Sequence, residues 1–212
     1  MKTERKDTAL LLIDVQHDFL DGGALGVSGS LNLLPAWTRL AALFPFRVAT
    51  QDWHPPGHMS FASSHAGAGA YQVQMQDGFP QTLWPDHAVQ GTHGAALYPG
   101  LLTFSWNAII RKGTHADTDS YSGFFDNRQR YATGLDAFLK EHGIKRLLVA
   151  GLATDYCVLF TVTDACRLGY ETAVAVWACR AVDLKPGDGE EALREMEKAG
   201  ARLLKEEELA EW

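Results

Sequence analysis

The chain has 212 residues, 46% of them apolar and 21% charged, and 19 Lys and Arg stand against 26 Asp and Glu for a net charge of −7. This composition excludes a disordered polar chain, and the acidic balance argues against a nucleic-acid partner, which needs a Lys/Arg stripe. A chain of this size buries about 70% of its unfolded surface, so one domain over residues 1–212 is expected.

The charged stretch Met1 to Lys6 precedes a short apolar run. A signal peptide begins in the same way, but Asp14 interrupts the run and no small-residue cleavage site follows. A strand over 8–15, buried on both faces, is the better reading. Further strands are expected at 46–51, 107–112, 146–151, 171–176 and, more briefly, 201–204. Between them, helical periodicity marks 31–44, 135–142, 155–168 and 189–198, with Thr154 or Asp155 as the N-cap of the third. Strand–helix alternation predicts an α/β fold: a three-layer α-β-α sandwich around a mostly parallel, Rossmann-like sheet of about six strands. Residues 52–105 are rich in Gly, Pro, His, Gln and Trp without a clear helix or strand period, and a loop of that length is usually functional. No segment is long and apolar enough to span a membrane. The three Cys lack paired spacing, so reduced thiols and a cytoplasmic setting are expected.

Ligands of open parallel sheets bind beyond the carboxyl ends of the strands. The residues there are Asp14, Asp52, His54, Lys112 and Cys157. Cys157 falls in the first helical turn after the fourth strand, where the helix dipole and a nearby Lys112 are expected to lower its pKa. Asp14 is placed to accept the thiol proton. Alone, Cys157 reads as a small buried hydrophobe, and Asp14 with Lys112 as a structural ion pair. The three together point to a nucleophile with its base. Cys166 and Cys179 read as packing residues. Asp52 and His54 share one side of an extended segment and offer a mixed O/N ligand set for a metal such as zinc. His87 is the best third ligand and His58 the second candidate.

Several stretches resemble the nicotinamidase (pyrazinamidase) family of the isochorismatase-like hydrolases: IDVQHDF at 13–19, QDWHP at 51–55, LWPDHAVQGT at 83–92, RKG at 111–113, DSYS at 119–122, VAGLATDYCV at 149–158 and ACRAVD at 178–183. His17 stands where Asn is common and Ala88 where Cys is common. The resemblance implies hydrolysis of nicotinamide to nicotinate and ammonia through a thioester, with pyrazinamide as a second substrate. It implies a catalytic triad of Asp14, Lys112 and Cys157. It implies a divalent metal on Asp52, His54 and His87, with His58 as a further candidate; zinc comes first, then iron or manganese. It also implies a cis peptide between Leu152 and Ala153, an oxyanion hole from the N–H groups of Ala153 and Cys157, and a ring pocket from Phe19, Trp84 and Tyr121, with Leu25 and Tyr156 as weaker members. The implied partner is a small molecule, neither nucleic acid nor membrane, and a homo-oligomer is left open. Three alternatives stand beside this reading: a metal-independent cysteine amidase for a ureido or carbamoyl substrate, a silent binding protein of the same fold, and a closed structural zinc site.

Overall fold

The computed structural model describes residues 6–210 and 212, so the charged residues 1–5 lie outside the described residues. The first strand, β1, covers Thr8–Ile13 and is buried along its whole length. It stops two residues earlier than expected because Asp14 takes a positive φ of 49° and leaves the extended conformation. The expected helix at 31–44 divides into a 3-10 turn, Ser30–Leu33, and a helix α1, Leu34–Leu43. Pro35 lies in the first turn of α1, where its missing N–H costs nothing. Strand β2 follows at Arg47–Asp52.

Residues 52–105 contain a feature the sequence reading missed. Strands β3, Val73–Gln76, and β4, Phe79–Thr82, form a two-stranded antiparallel hairpin. Pro80 and the absence of a core-facing apolar face hide its strand pattern. The turn at Asp77-Gly78, with φ of 50° and 85°, does carry the Asp-Gly hairpin signal.

The chain then continues through β5, Ala108–Lys112; α2, Leu135–Glu141; and β6, Arg146–Leu152. A wide π-type turn, Thr154–Val158, leads into α3, Leu159–Arg167. Neither Thr154 nor Asp155 caps this segment with its side chain, contrary to expectation; Ala153 takes the N-cap position. The Asp155 carboxylate instead accepts the N–H groups of Val182 and Asp183 at 2.9 and 2.8 Å. Strand β7, Glu171–Arg180, extends four residues past the expected end. A register shift opposite Val149 to Gly151 lets it resume pairing, Gly151 with Cys179 and Leu152 with Arg180. The helix α4, Asp188–Lys198, and the strand β8, Arg202–Leu204, complete the main elements.

The main sheet has six strands in the order β5-β2-β1-β6-β7-β8, all pairs parallel. Alternation along β1 sorts the core into two layers. Leu10 and Leu12 join Trp37, Leu40 and Ala41 of α1 on one face. Ala9, Leu11 and Ile13 join Leu135 and Leu139 of α2, Val162 of α3 and Met196 of α4 on the other. The three-layer α-β-α architecture expected from strand–helix alternation is therefore present. Strand order reverses between β1 and β6, which places Asp14 and the turn carrying Cys157 side by side at the switch point, the usual ligand position of such sheets.

Candidate active site and metal centre

Asp14 directly after β1, Lys112 at the end of β5 and Cys157 in the turn after β6 meet in the interior. Lys112 Nζ lies 2.9 Å from Asp14 Oδ2, 3.0 Å from Asp52 Oδ1 and 3.4 Å from Cys157 Sγ, and donates to the Ser120 carbonyl at 2.9 Å. The Lys112 side chain is fully buried. An ammonium is tolerated there because two carboxylates face it. Burial alone would lower the Lys112 pKa, but Asp14 and Asp52 raise it well above the ordinary value, so the residue is a fixed cation.

Asp14 is oriented by Thr50, whose hydroxyl donates to Oδ1 at 2.6 Å and accepts the Asp14 backbone N–H at 3.1 Å. Burial raises the Asp14 pKa, with Lys112 opposing. Cys157 does not follow the expectation of a lowered pKa. Burial pushes its thiol well above the ordinary value, and Lys112 only partly counters this beside the negative charge of Asp14. The resting group is a neutral thiol next to a buried carboxylate and an ammonium. The peptide between Leu152 and Ala153 is cis.

The second cluster is built from Asp52, at the end of β2, and two histidines. His54 Nδ1 donates to the Gly113 carbonyl at 2.9 Å, and His87 Nδ1 donates to the Pro85 carbonyl at 2.7 Å. These bonds keep the proton on Nδ1 when either ring is neutral and aim the Nε2 atoms at Asp52, so that each can offer a lone pair to a cation, as in metal-bound His. His54 Nε2 is 2.9 Å and His87 Nε2 3.5 Å from Asp52 Oδ2. His54 Nε2 is nonetheless buried without an aligned hydrogen-bond partner. One ligand atom from each of Asp52, His54 and His87 lies within 4.8 Å of the others. A carboxylate and two inward lone pairs, one of them orphaned, fit a divalent cation. Burial raises the Asp52 pKa, but His54 and Lys112 outweigh it and hold the carboxyl well below its usual range.

Gly113 is required for this packing. Its φ is 63°, and a Cβ there would come within 2.4 Å of the His54 ring and 2.8 Å of Asp52. His58 stacks on His54 with ring centroids 4.1 Å apart. Its Nε2 faces the carbonyls of His115 and Thr118 at 2.9 and 3.0 Å, and its Nδ1 lies 2.7 Å from the Ser60 hydroxyl. Both of its ring nitrogens are therefore engaged outside the Asp52–His54–His87 cluster.

Between the two clusters lies a cavity lined by Cys157 and Ala153 on one side and by Asp52 and His87 on the other. All five expected pocket residues, Phe19, Leu25, Trp84, Tyr121 and Tyr156, contribute to its walls. Trp84 is packed edge to face with Tyr156 at 4.8 Å, and its Nε1 donates to the Tyr121 hydroxyl at 3.2 Å. Sequence reasoning missed Val27, Asp119 and Val182 in the lining. It also missed Gln16, which is fully buried. The Gln16 amide donates to the Asp52 carbonyl at 2.8 Å and to the Ala95 carbonyl at 2.9 Å, and accepts the Asp52 N–H at 2.7 Å. The available signal was a polar residue three positions beyond a buried strand.

Comparison with known proteins agrees with the fold and the motifs. The isochorismatase-domain family profile matches residues 8–208. The chain is 47% identical to a nicotinamidase of Escherichia coli over 208 residues, 96% of each chain. The solved structure of an Acinetobacter baumanii nicotinamidase/pyrazinamidase superposes with a TM-score of 0.92 at 39% identity, covering 98% of this chain and 100% of that one. A pyrazinamidase of Pyrococcus horikoshii, solved in complex with zinc, superposes with a TM-score of 0.76 at 32% identity, covering 94% and 99%. With this agreement in sequence and architecture along nearly its whole length, the chain belongs to the isochorismatase family and, within it, to the nicotinamidase group.

Proposed function

We propose that this protein is a metal-dependent cysteine amidase that hydrolyses nicotinamide to nicotinate and ammonia, and that pyrazinamide is a second substrate. The observation that carries the reading is the cavity between two chemically distinct walls. One wall presents the Cys157 thiol, with the Asp14 carboxylate and the Lys112 ammonium behind it. The other presents Asp52 and His87, with His54 behind them. A planar ring bearing a nitrogen and a carboxamide matches both ends of that cavity.

Asp52, His54 and His87 would hold the metal, and zinc is the first choice, as in the zinc complex of the Pyrococcus relative. Bound there, the metal supplies a Lewis-acidic position for the ring nitrogen and so orients the substrate. Phe19, Trp84, Tyr121, Leu25 and Tyr156 enclose the ring and exclude water. Asp14 takes the Cys157 proton as the sulfur attacks the amide carbon, and Lys112 stabilises the developing thiolate. The N–H groups of Ala153 and Cys157 hold the oxyanion. Asp14 then gives the proton to departing ammonia, and a water deprotonated by Asp14 cleaves the thioester. This assignment makes the raised Asp14 and Cys157 pKa values functional, because the pair holds one proton at rest and moves it only when an electrophile arrives.

The test is ammonia release from nicotinamide by the purified chain, with and without exhaustive chelation. Release that chelation suppresses and zinc restores is the expected result. No release, or unchanged release by Cys157→Ala, would overturn the reading.

A further inference from the structure

The peptide unit of Ala88 lies between the two histidines assigned to the metal. It follows His87 directly, and its carbonyl accepts the backbone N–H of His54 at 3.0 Å. Ala88 is fully buried and has a φ of 47°. That left-handed conformation is unfavourable for a residue with a Cβ and persists only where the surroundings impose it.

Asp18 imposes it. Its Oδ2 accepts the Ala88 N–H at 2.8 Å. A hydrogen bond to a carboxylate is stronger than one between neutral groups. Asp18 is itself fixed on both sides: its N–H donates to the Gly94 carbonyl at 3.0 Å, and its carbonyl accepts the Leu25 N–H at 2.9 Å. Residue 94 must be glycine for the carboxylate to fit, since a Cβ there would sit 2.1 Å from Asp18 Oδ2. The next residue, Phe19, packs edge-on against the His87 ring with centroids 5.4 Å apart. Asp18 is not among the residues lining the cavity. Its influence on the site therefore runs through the backbone.

We propose that Asp18 is a positioning residue for the metal centre: by holding the Ala88 peptide in its left-handed conformation, it sets the separation and aim of His54 and His87. The inference rests on the assignment of the metal to Asp52, His54 and His87. Asp18 touches neither ligand ring nor substrate, so its removal acts first on metal affinity and only through that on turnover.

The experiment is a titration of the metal-stripped full chain with zinc against a chromophoric chelator, together with urea unfolding of the same metal-free samples. Asp18→Ala is expected to weaken zinc binding by about 10–100-fold, the usual effect of losing an outer-shell partner. Asp18→Asn keeps an acceptor oxygen and recovers most of that loss. Adding Ala88→Gly to Asp18→Ala also restores affinity in part, because glycine adopts the left-handed conformation unaided. Gly94→Ala, which displaces the carboxylate without deleting it, should reproduce the loss and serves if Asp18→Ala does not fold. Zinc affinity unchanged in Asp18→Ala or Gly94→Ala would overturn the inference, as would a fall in metal-free stability with no change in affinity. An unmutated chain that binds no zinc would remove the metal assignment itself, and this inference with it.

Discussion

Asp52 and Lys112 are paired residues of neighbouring strands, the last rung of the β2–β5 ladder, and their side chains meet as well: Asp52 Oδ1 lies 3.0 Å from Lys112 Nζ. The other oxygen of the same carboxylate faces His54 and His87. One side chain thus joins the proposed metal centre to the proposed triad, and the parallel register of two strands sets the spacing.

This shared carboxylate distinguishes Asp52→Asn from His87→Gln. Asparagine has one oxygen, so an NH2 must face either Lys112 or the metal position. Asp52→Asn is therefore expected to lose zinc binding and also to destabilise the metal-free protein by about 1–3 kcal/mol, the cost of an unsatisfied buried donor. His87→Gln should lose zinc binding while leaving the Lys112 contacts in place. Zinc titration and urea unfolding of the two metal-free variants measure both effects. Equal metal-free stability would show that the Asp52–Lys112 contact contributes nothing.

Lys112→Met removes the cation that faces Asp14 and Asp52 and leaves two buried carboxylates in proximity. Loss of one partner from a buried ion pair costs about 3–5 kcal/mol. The loss should depend on pH. The Asp14 pKa is already raised by burial, and removing Lys112, which lowers it, raises it further. Between its unfolded and folded pKa values the native state then binds a proton that the unfolded chain has released, so stability falls as pH rises. Lys112→Met should accordingly be more stable at pH 5 than at pH 8, by denaturant unfolding at both. A flat profile would argue against Asp14 as the group left uncompensated.

Cys157→Ala separates binding from chemistry. The metal ligands and the aromatic walls stay intact, so nicotinamide affinity should change by no more than a few-fold in calorimetry. Loss of the nucleophile should lower kcat by roughly 10⁴-fold or more, as in enzymes whose nucleophile acts as part of a unit. A variant that keeps much of its turnover would refute a thioester path.

The positions of the chemistry were more legible than its support. Asp14 follows β1, Asp52 and Lys112 close β2 and β5, and Cys157 lies in the turn after β6, and the strand-end rule for parallel sheets is enough to single them out. Gln16, Asp18 and Asp119 carry no comparable local pattern. Gln16 finds partners 36 and 79 residues away, and Asp18 one 70 residues away. Polar residues with such remote partners read as ordinary loop residues until the chain is folded. The Cys157 pKa was misjudged for a related reason. Position at a helix start is visible in sequence, whereas the depth of burial that outweighs it arises from two packed layers. The hairpin at β3 and β4 went unseen because its strands are only four residues long and bury no apolar side chain.

Cys179 is buried on β7 opposite Gly151, and burial pushes its thiol up to about 12 from an ordinary 9.0. Above pH 9 the unfolded chain releases this proton while the native state keeps it. The native state then binds more protons, so stability falls as pH rises through the interval. Each pH unit corresponds to about 1.4 kcal/mol, so the Cys179 contribution should reach about 2 kcal/mol by pH 10.5. Cys179→Ala eliminates this titration. It should carry a constant cost from the lost side chain but a shallower decline between pH 8 and 10.5. Tyr156, pushed up to about 12 from 10.0, steepens both curves equally and leaves their difference intact. Urea unfolding across that range measures the two slopes. Parallel curves would mean that the Cys179 thiol ionises in the native state as readily as in the unfolded chain, and that the β6–β7 register shift admits water.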